Sequence, residues 1–572
     1  MSASLDPFEI FYLRRTLWSV VRDYRNLLFD QAGLRLKEWI HIGAAEVIKQ
    51  GAGRAIYHVR QPHGEFYVKH FRPASRLRSV HQRFRRDRAE KEFDVARLML
   101  SHGIPTVRPL ALGEKRQLGM LSESYLVTEA SPNHQTLFEL VELEHRVPNS
   151  MTTRDRQCLT RDLAALTASL HAKGLEHRDL HERNIIVERA HSPSEAGSPF
   201  QLRILDLHEL RQHRELNWQQ TLHELSRLGR YFSIRSRRTD RLRFLHRYAK
   251  ERGWTREEIR ERARCIEAEV IDSRANFWRR RDLRPAWRSS LVRKDDPSGA
   301  IWSQSFPSDE ARTFTAQPKQ WLADRLVHWW KQSRTTQVAE ASLTRFDEVA
   351  GDAVIVKRYV YHPLREWIAS MLRDNPATRA WRNGWSLRIR EIATPEPLLL
   401  LHRRRWGFLV ESFLITQRVE QGQPIDQYLS HRCQELSIND RSRFVRSFID
   451  EVGQTLRRMH ERGVTHPDLK ATNLLVSTHR AEDSRPRLTF IDLDGVQTWQ
   501  RIPEPEMIQN LARFAVGFRN HPELTRSDRV RFLRAYLGHF RFRSTWKALW
   551  RKLADWGERK VKRNRRRGRF LA

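Results

Sequence analysis

Two stretches of this chain set a carboxylate and an amide at one fixed spacing. The first is His177-Arg178-Asp179-Leu180-His181-Glu182-Arg183-Asn184, the second His466-Pro467-Asp468-Leu469-Lys470-Ala471-Thr472-Asn473. In each, Asn follows Asp by five positions, an apolar run comes next (Ile185-Ile186-Val187; Leu474-Leu475-Val476), and a second Asp appears later, in Leu205-Asp206-Leu207 and Ile491-Asp492-Leu493. A loop carboxylate can orient an acceptor hydroxyl and take its proton, while an Asn and a strand-end Asp are oxygen ligands of the kind that hold magnesium on phosphates. The chemistry is phosphoryl transfer, with Asp179 and Asp468 as bases and Asn184, Asp206, Asn473 and Asp492 as metal ligands. One such Asp alone reads as a cap or turn residue; two co-ordered sets do not.

Such groups act only where strands and helices converge them. Val47 to Val59 reads as two strands around the turn Gly51-Ala52-Gly53, and Glu65 to Phe71 as an alternating strand that carries Lys69. A lysine inside an apolar strand needs an anionic partner, which the α and β phosphates of a nucleotide supply. The period predicts a helix from Arg83 to His102, closed by Gly103, with Glu90 and Glu92 as candidate partners of Lys69. Glu92 is favoured because it stands beside core-facing Phe93. Ser124 to Ala130 is a strand feeding a hinge, and Arg154 to Lys173 a helix that Gly174 ends before His177. The turn signal from Ser192 to Pro199 makes a hairpin of Ile185–Val187 and Leu202–Leu205, which brings Asn184 and Asp206 to one end. Glycine turn, strand lysine and catalytic loop follow one another here as they do in kinases.

The plan then restarts. Ser, Pro and Gly accumulate from Asp295 to Pro318, after which Val354 to Tyr359 carries Lys357, Ala380 to Arg390 reads as a helix, and Ser412 to Gln417 as a hinge strand. Lys69 to Asp179 is 179 − 69 = 110 residues; Lys357 to Asp468 is 468 − 357 = 111. The reading is an amphipathic helical extension at 1–40, a first domain at 41–295, a linker at 296–320, a second domain at 321–540 and a basic, Trp-bearing tail at 541–572. The copies are unequal. The second has no Gly-x-Gly and no acidic residue between 380 and 390, yet keeps Lys357, Asp468, Asn473 and Asp492, and adds Lys470 where a lysine can neutralise a γ-phosphate. It is either active with a different lysine partner or a scaffold.

Hydrophobic residues at 39% and 18 Trp give ample material for packed cores and exclude a largely disordered chain. Lys and Arg number 104 against 69 Asp and Glu, a net charge of +35 that calls for anionic company. Three widely spaced cysteines fit a reducing compartment, and no apolar run reaches 18 residues. The expectation is a cytoplasmic protein with an anionic saccharide or glycolipid as substrate, whose N-terminal extension either packs on the following lobe or lies on a membrane surface and whose basic tail is either solvated or peripheral on an anionic membrane. Nucleic acid, supported by charge alone, is not an expected partner.

With these residues placed, the chain resembles the lipopolysaccharide core kinases, the Kdo and heptose kinases with a protein-kinase-like fold. The resemblance covers residues 41 to 290 and 325 to 535 and is carried by Gly103-Ile104-Pro105-Thr106 with Pro109, by the short Asp206-Leu207 and Asp492-Leu493 sites, and by Lys331-Gln332-Ser333-Arg334-Thr335-Thr336. It implies an α+β fold of two tandem bilobal domains, each with a small β-rich lobe and a larger helical one. It further implies ATP and magnesium as cofactors and phosphorylation of a sugar hydroxyl of lipopolysaccharide core at the inner face of the cytoplasmic membrane. No Phe-Gly follows Asp206 or Asp492 and no Ala-Pro-Glu appears, so the platform for a peptide substrate is missing and a saccharide acceptor fits better. His181 is similar to the residue in that place in aminoglycoside and choline kinases, a neighbouring reading. The rival from another class is a pair of pseudokinases that bind an anionic glycolipid or an assembly partner without catalysis.

Overall fold

The apolar residues near the N-terminus build a hairpin, not the amphipathic helix that their spacing predicts. Strands β1 (Phe8–Leu13) and β2 (Thr16–Val21) pair with Leu13 opposite Thr16, and the two residues between them, Arg14 and Arg15, turn the chain at φ 51° and 62°. That two-residue, doubly left-handed turn matches the twist of antiparallel strands. The computed structural model describes residues 8–51, 53–72, 87–117, 120–131, 134–147, 150–189, 198–283, 291–293, 301–303, 342–349, 352–361, 374–405, 408–477 and 486–566. The expected turn at 192–197, the segment 331–336 and most of the linker lie outside them. The chain divides into two compact units, Met1–Arg274 and Ala275–Ala572, so the boundary falls ahead of the linker.

In the first unit the hairpin extends an antiparallel sheet that also contains β3 (Ala45–Gly51), β4 (Arg54–Gln61), β5 (Gly64–Phe71), β6 (Pro109–Gln117) and β7 (Met120–Glu129), in the order β1-β2-β6-β7-β5-β4-β3. Trp18, Trp39, Phe66, Val68, Leu110 and Val127 form its core. Helix α1 (Arg88–Ser101) starts where the Asp87 carboxylate accepts from the Ala89 amide and stops at Gly103, φ 70°. The larger lobe is helical: α2 (Leu137–Arg146), α3 (Thr153–Ala172), α4 (Trp218–Arg235), α5 (Arg238–Glu251) and α6 (Arg256–Leu283) as far as Arg274, with the hairpin β8 (Ile185–Arg189) and β9 (Phe200–Ile204). Leu163, Leu170, Leu180, Ile185, Leu202 and Leu207 pack together beneath the catalytic loop.

The second unit repeats this plan. Its sheet runs β10-β11-β14-β15-β13-β12, from β10 (Leu291–Arg293), β11 (Ile301–Ser303), β12 (Ser342–Val349), β13 (Asp352–Val360), β14 (Pro397–Arg405) and β15 (Phe408–Gln417). The β10–β11 hairpin adds to β14 as β1–β2 adds to β6. Helix α7 (Pro376–Ile389), capped by Asn375, takes the place of α1. Among the described residues no strand corresponds to β3, the one that leads to Gly51. The helical lobe holds α8 (Ile425–Glu435), α9 (Ile438–Glu461), the hairpin β16 (Leu474–Ser477) and β17 (Arg487–Phe490), α10 (Glu504–Gly517) and α11 (Arg526–Arg566), the last broken at Gly538. The basic residues from Lys547 to Arg566 belong to α11. Its Leu549 is buried in the lobe core with Leu456, Leu474 and Leu511, and Trp550 and Leu553 pack against that core. Both units are thus α+β and bilobal. Among the described residues no helix is long and apolar enough to cross a membrane.

Candidate active site

Position 69 lies on an interior strand of the first sheet. On β5 Lys69 pairs with Ile56 of β4 and Leu126 of β7, and its ammonium is bonded to Glu92 of α1, which is 3% exposed. A buried carboxylate requires such a partner, and the pair fixes both groups. Gly51 and Gly53 flank the turn between β3 and β4, beside the Lys69 strand.

The loop that carries Asp179 is tied down at both ends. Gly174 ends α3 at φ 68°, and a Cβ there would fall 2.1 Å from His213 O. His177 Nε2 donates to Leu205 O at 2.9 Å, Asn184 Nδ2 donates to Asp179 O at 3.0 Å, and the Leu205 amide donates to Asn184 O at 2.8 Å. Ile185 faces Ile204, so Asn184 and Asp206 emerge at the same end of one hairpin. Asp206 sits in the left-handed region, φ 58°, a conformation that costs energy for a non-glycine residue and marks functional turns. Burial opposes its ionisation, but the bond with His208 Nδ1 at 2.8 Å and the charges of Lys69 and Arg54 outweigh it and hold the carboxyl well below the usual range. Asp179 itself is half exposed, with Arg227 Nη1 3.4 Å and His181 Nε2 3.6 Å from its oxygens.

The second unit reproduces the loop bond for bond. His466 Nε2 donates to Ile491 O at 2.9 Å, Asn473 Nδ2 donates to Asp468 O at 2.9 Å, the Ile491 amide donates to Asn473 O at 3.0 Å, and Asp492 has φ 62°. Gly463, φ 71°, occupies the place of Gly174, a Cβ there falling 2.2 Å from Trp499 O. The lysine differs. Lys357 Nζ bonds Asp492 Oδ1 at 2.5 Å, which outweighs burial and lowers that carboxyl. Lys470 Nζ lies 3.0 Å from Asp468 Oδ2.

Among the described residues no group of three or more His, Cys, Asp or Glu side chains forms a metal cage. Each site instead offers one carboxylate and one amide oxygen, the hard donors that suit magnesium shared with phosphates. Sequence reasoning missed His208, Arg227 and the buried pairs under each loop: His171 Nε2 with Glu224 Oε2 at 3.0 Å, and His460 Nε2 with Asn510 Oδ1 at 3.2 Å. The signal was there, since each pair also meets a tyrosine hydroxyl at 2.7 Å, Tyr248 and Tyr536, at matched positions of the repeat.

The profile of the lipopolysaccharide kinase (Kdo/WaaP) family matches this chain twice, over residues 46–261 and 319–536. The solved structure of WaaP in complex with acyl carrier protein is similar at 19% identity, over 44% of this chain and 95% of that one, with a TM-score of 0.33. No curated protein matches.

Proposed function

The chain belongs to the lipopolysaccharide kinase (Kdo/WaaP) family, and from that premise we propose that it transfers the γ-phosphoryl group of ATP to a sugar hydroxyl of lipopolysaccharide core or a related glycolipid. Magnesium ATP, when bound, would supply the transferred group and a divalent charge. Asp206 and the amide oxygen of Asn184 would hold the metal; the Asn184 amide nitrogen is already committed to Asp179 O. Lys69, steadied by Glu92, presents its ammonium to the α and β phosphates. Asp179 orients the acceptor hydroxyl and takes its proton. Positioning and charge neutralisation account for most of such a rate enhancement.

The observation that carries this reading is the pairing of Lys69 with Glu92 while Asp206, one hairpin away from Asn184, is held ionised. Asp179→Asn and Asp468→Asn, made singly and together, test it with labelled ATP and core oligosaccharide. The double variant should lose transfer; full turnover in it ends the assignment. A narrower reading, in which only the first unit transfers phosphate and the second is a scaffold, is favoured by the contact of Lys357 with Asp492. In that case Asp179→Asn alone abolishes turnover and Asp468→Asn does not. The acceptor's place, on the inner face of the cytoplasmic membrane, follows from the same family premise.

A further inference from the structure

The two units hold their strand lysines against different carboxylates, and the helices beside them give the reason. Helix α1 spans Arg88–Ser101 and α7 spans Pro376–Ile389, an offset of 288 at both ends, the same that relates Lys69 to Lys357. Glu92 of α1 takes the ammonium of Lys69, and Asp206 bonds His208 instead. Helix α7 carries no acidic residue at all, and Ala380, 5% exposed, fills the position of the glutamate. Lys357 therefore crosses to Asp492, Nζ to Oδ1 at 2.5 Å, and lies 5.3 Å from the centre of the Tyr359 ring. In the loop, where 468 − 179 = 289, Lys470 stands in the place of His181, and its Nζ is 3.0 Å from Asp468 Oδ2. Each of the two aspartates of the second unit thus carries an ammonium group.

Asp492 and Asn473 are oxygen donors of the kind that suit magnesium, but the carboxylate already holds a cation. A divalent ion can reach it only by displacing the ammonium or by sitting beside it, cation against cation. Magnesium, which gives up its water reluctantly and demands near-octahedral ligands, gains little from either. The ammonium can do the bridging itself. It has three N–H donors, of which Asp492 uses one, and the others are left for phosphate oxygens. Lys470 is placed in the same way on Asp468, on the half-exposed side of the loop.

We propose that the second unit binds a nucleoside triphosphate without a divalent ion, with Lys357 standing between the strand-end carboxylate and the phosphates where Asp206 of the first unit would hold a metal. Lys357 and Lys470 address the polyphosphate as fixed point charges. The inference rests on the phosphotransferase reading for the nucleotide and goes beyond it by giving the second unit a ligand state of its own.

The test uses the full chain with Lys69→Met and Asp206→Asn, which silence the first unit, titrated with ATP by calorimetry in EDTA and again in magnesium. One equivalent should bind in EDTA, and magnesium should not tighten it. Adding Lys357→Met should weaken binding in EDTA by about tenfold or more, the loss expected for charge-assisted contacts to phosphate, and Lys357→Arg should keep part of it. Asp492→Asn should leave it within about threefold, since an amide oxygen still accepts from the ammonium, whereas a site that uses the carboxylate for a metal would lose binding. AMP should bind about tenfold or more weakly than ATP, because the ammonium groups address the polyphosphate. A thermal melt of each variant without nucleotide shows that it is folded. Binding that appears only with magnesium, no binding in either buffer, equal affinity for AMP and ATP, no effect of Lys357→Met or loss of binding in Asp492→Asn overturns the site. Transfer of labelled phosphate to core oligosaccharide by the unmodified chain is measured alongside. Transfer without metal-free binding overturns the site alone, and metal-free binding without transfer overturns the phosphotransferase reading alone.

Discussion

Lys69 and Lys357 occupy the same place in their sheets and end on different carboxylates. The offset 357 − 69 = 288 also relates Gly103 to Glu391, the residues with φ 70° and 57° that follow α1 and α7, and it places Ala380 where Glu92 stands. Ala380 is 5% exposed, so the slot for the glutamate is filled by packing and Lys357 turns to Asp492. Lys69→Met should therefore lower transfer by about 100-fold or more, while Lys357→Met changes it far less. In a Lys69→Met background, Ala380→Glu should tighten magnesium-dependent ATP binding by the second unit, read by calorimetry. Unchanged binding in a folded variant rules out the missing glutamate as the cause of the asymmetry. Glu92 was legible in the sequence because it adjoins Phe93 on a helix with a clear core face. The partner of Lys357 was not, because Asp492 lies 135 residues away and only the folded unit brings it near. Arg227 escaped for the same reason, at 48 residues from Asp179.

At the scale of elements, the paired strands, the hairpins behind each Asn and the helix ends at Gly103 and Gly174 follow from alternation, turn residues and caps that the sequence displays. The β1–β2 hairpin was hidden because its turn is Arg14-Arg15, where left-handed backbone is ordinarily signalled by Asn or Gly. The inward packing of Leu549 and Trp550 was not legible, because amphipathicity does not tell a bilayer from a neighbouring helix. Gly174 and Gly463 carry the sharpest consequence. Alanine at either faces both a left-handed backbone and a carbonyl oxygen 2.1 or 2.2 Å from its Cβ. Gly174→Ala should cost more than about 2 kcal/mol by urea titration and displace the loop that carries Asp179. A variant with wild-type stability and turnover would show that the loop is not anchored there.

For the molecule as a whole, the repeat and the surplus of +35 were visible at once, whereas the extent of each unit was not. The second unit should also respond to acid in its own way. Burial pushes His460 down to about 4, against which the bond to Asn510 works only in part, while an unfolded histidine titrates near about 6.5. Above about 6.5 neither state is protonated and the stability is fully present. As pH falls from there toward 4, the unfolded chain takes up a proton that the folded one refuses, and stability drops by as much as about 1.4 kcal/mol per pH unit. Hydrogen exchange of peptides across 456–476, taken relative to the intrinsic rate at each pH, should therefore accelerate between pH 6.5 and 5 more in the wild type than in His460→Gln. Equal acceleration in the two would assign the acid sensitivity to other groups.

The hairpin at 291–303 decides where the gene can be cut. A fragment begun after the Ser- and Pro-rich stretch, the obvious seam to the eye, would discard β10 and β11 and leave the rim of β14 bare, an invitation to aggregate. It would also strip Asp282 from Arg390, whose guanidinium is nearly enclosed and holds that carboxylate at 2.6 Å. A self-sufficient C-terminal fragment has to start no later than Ala275, inside the helix that seems on paper to belong to its neighbour.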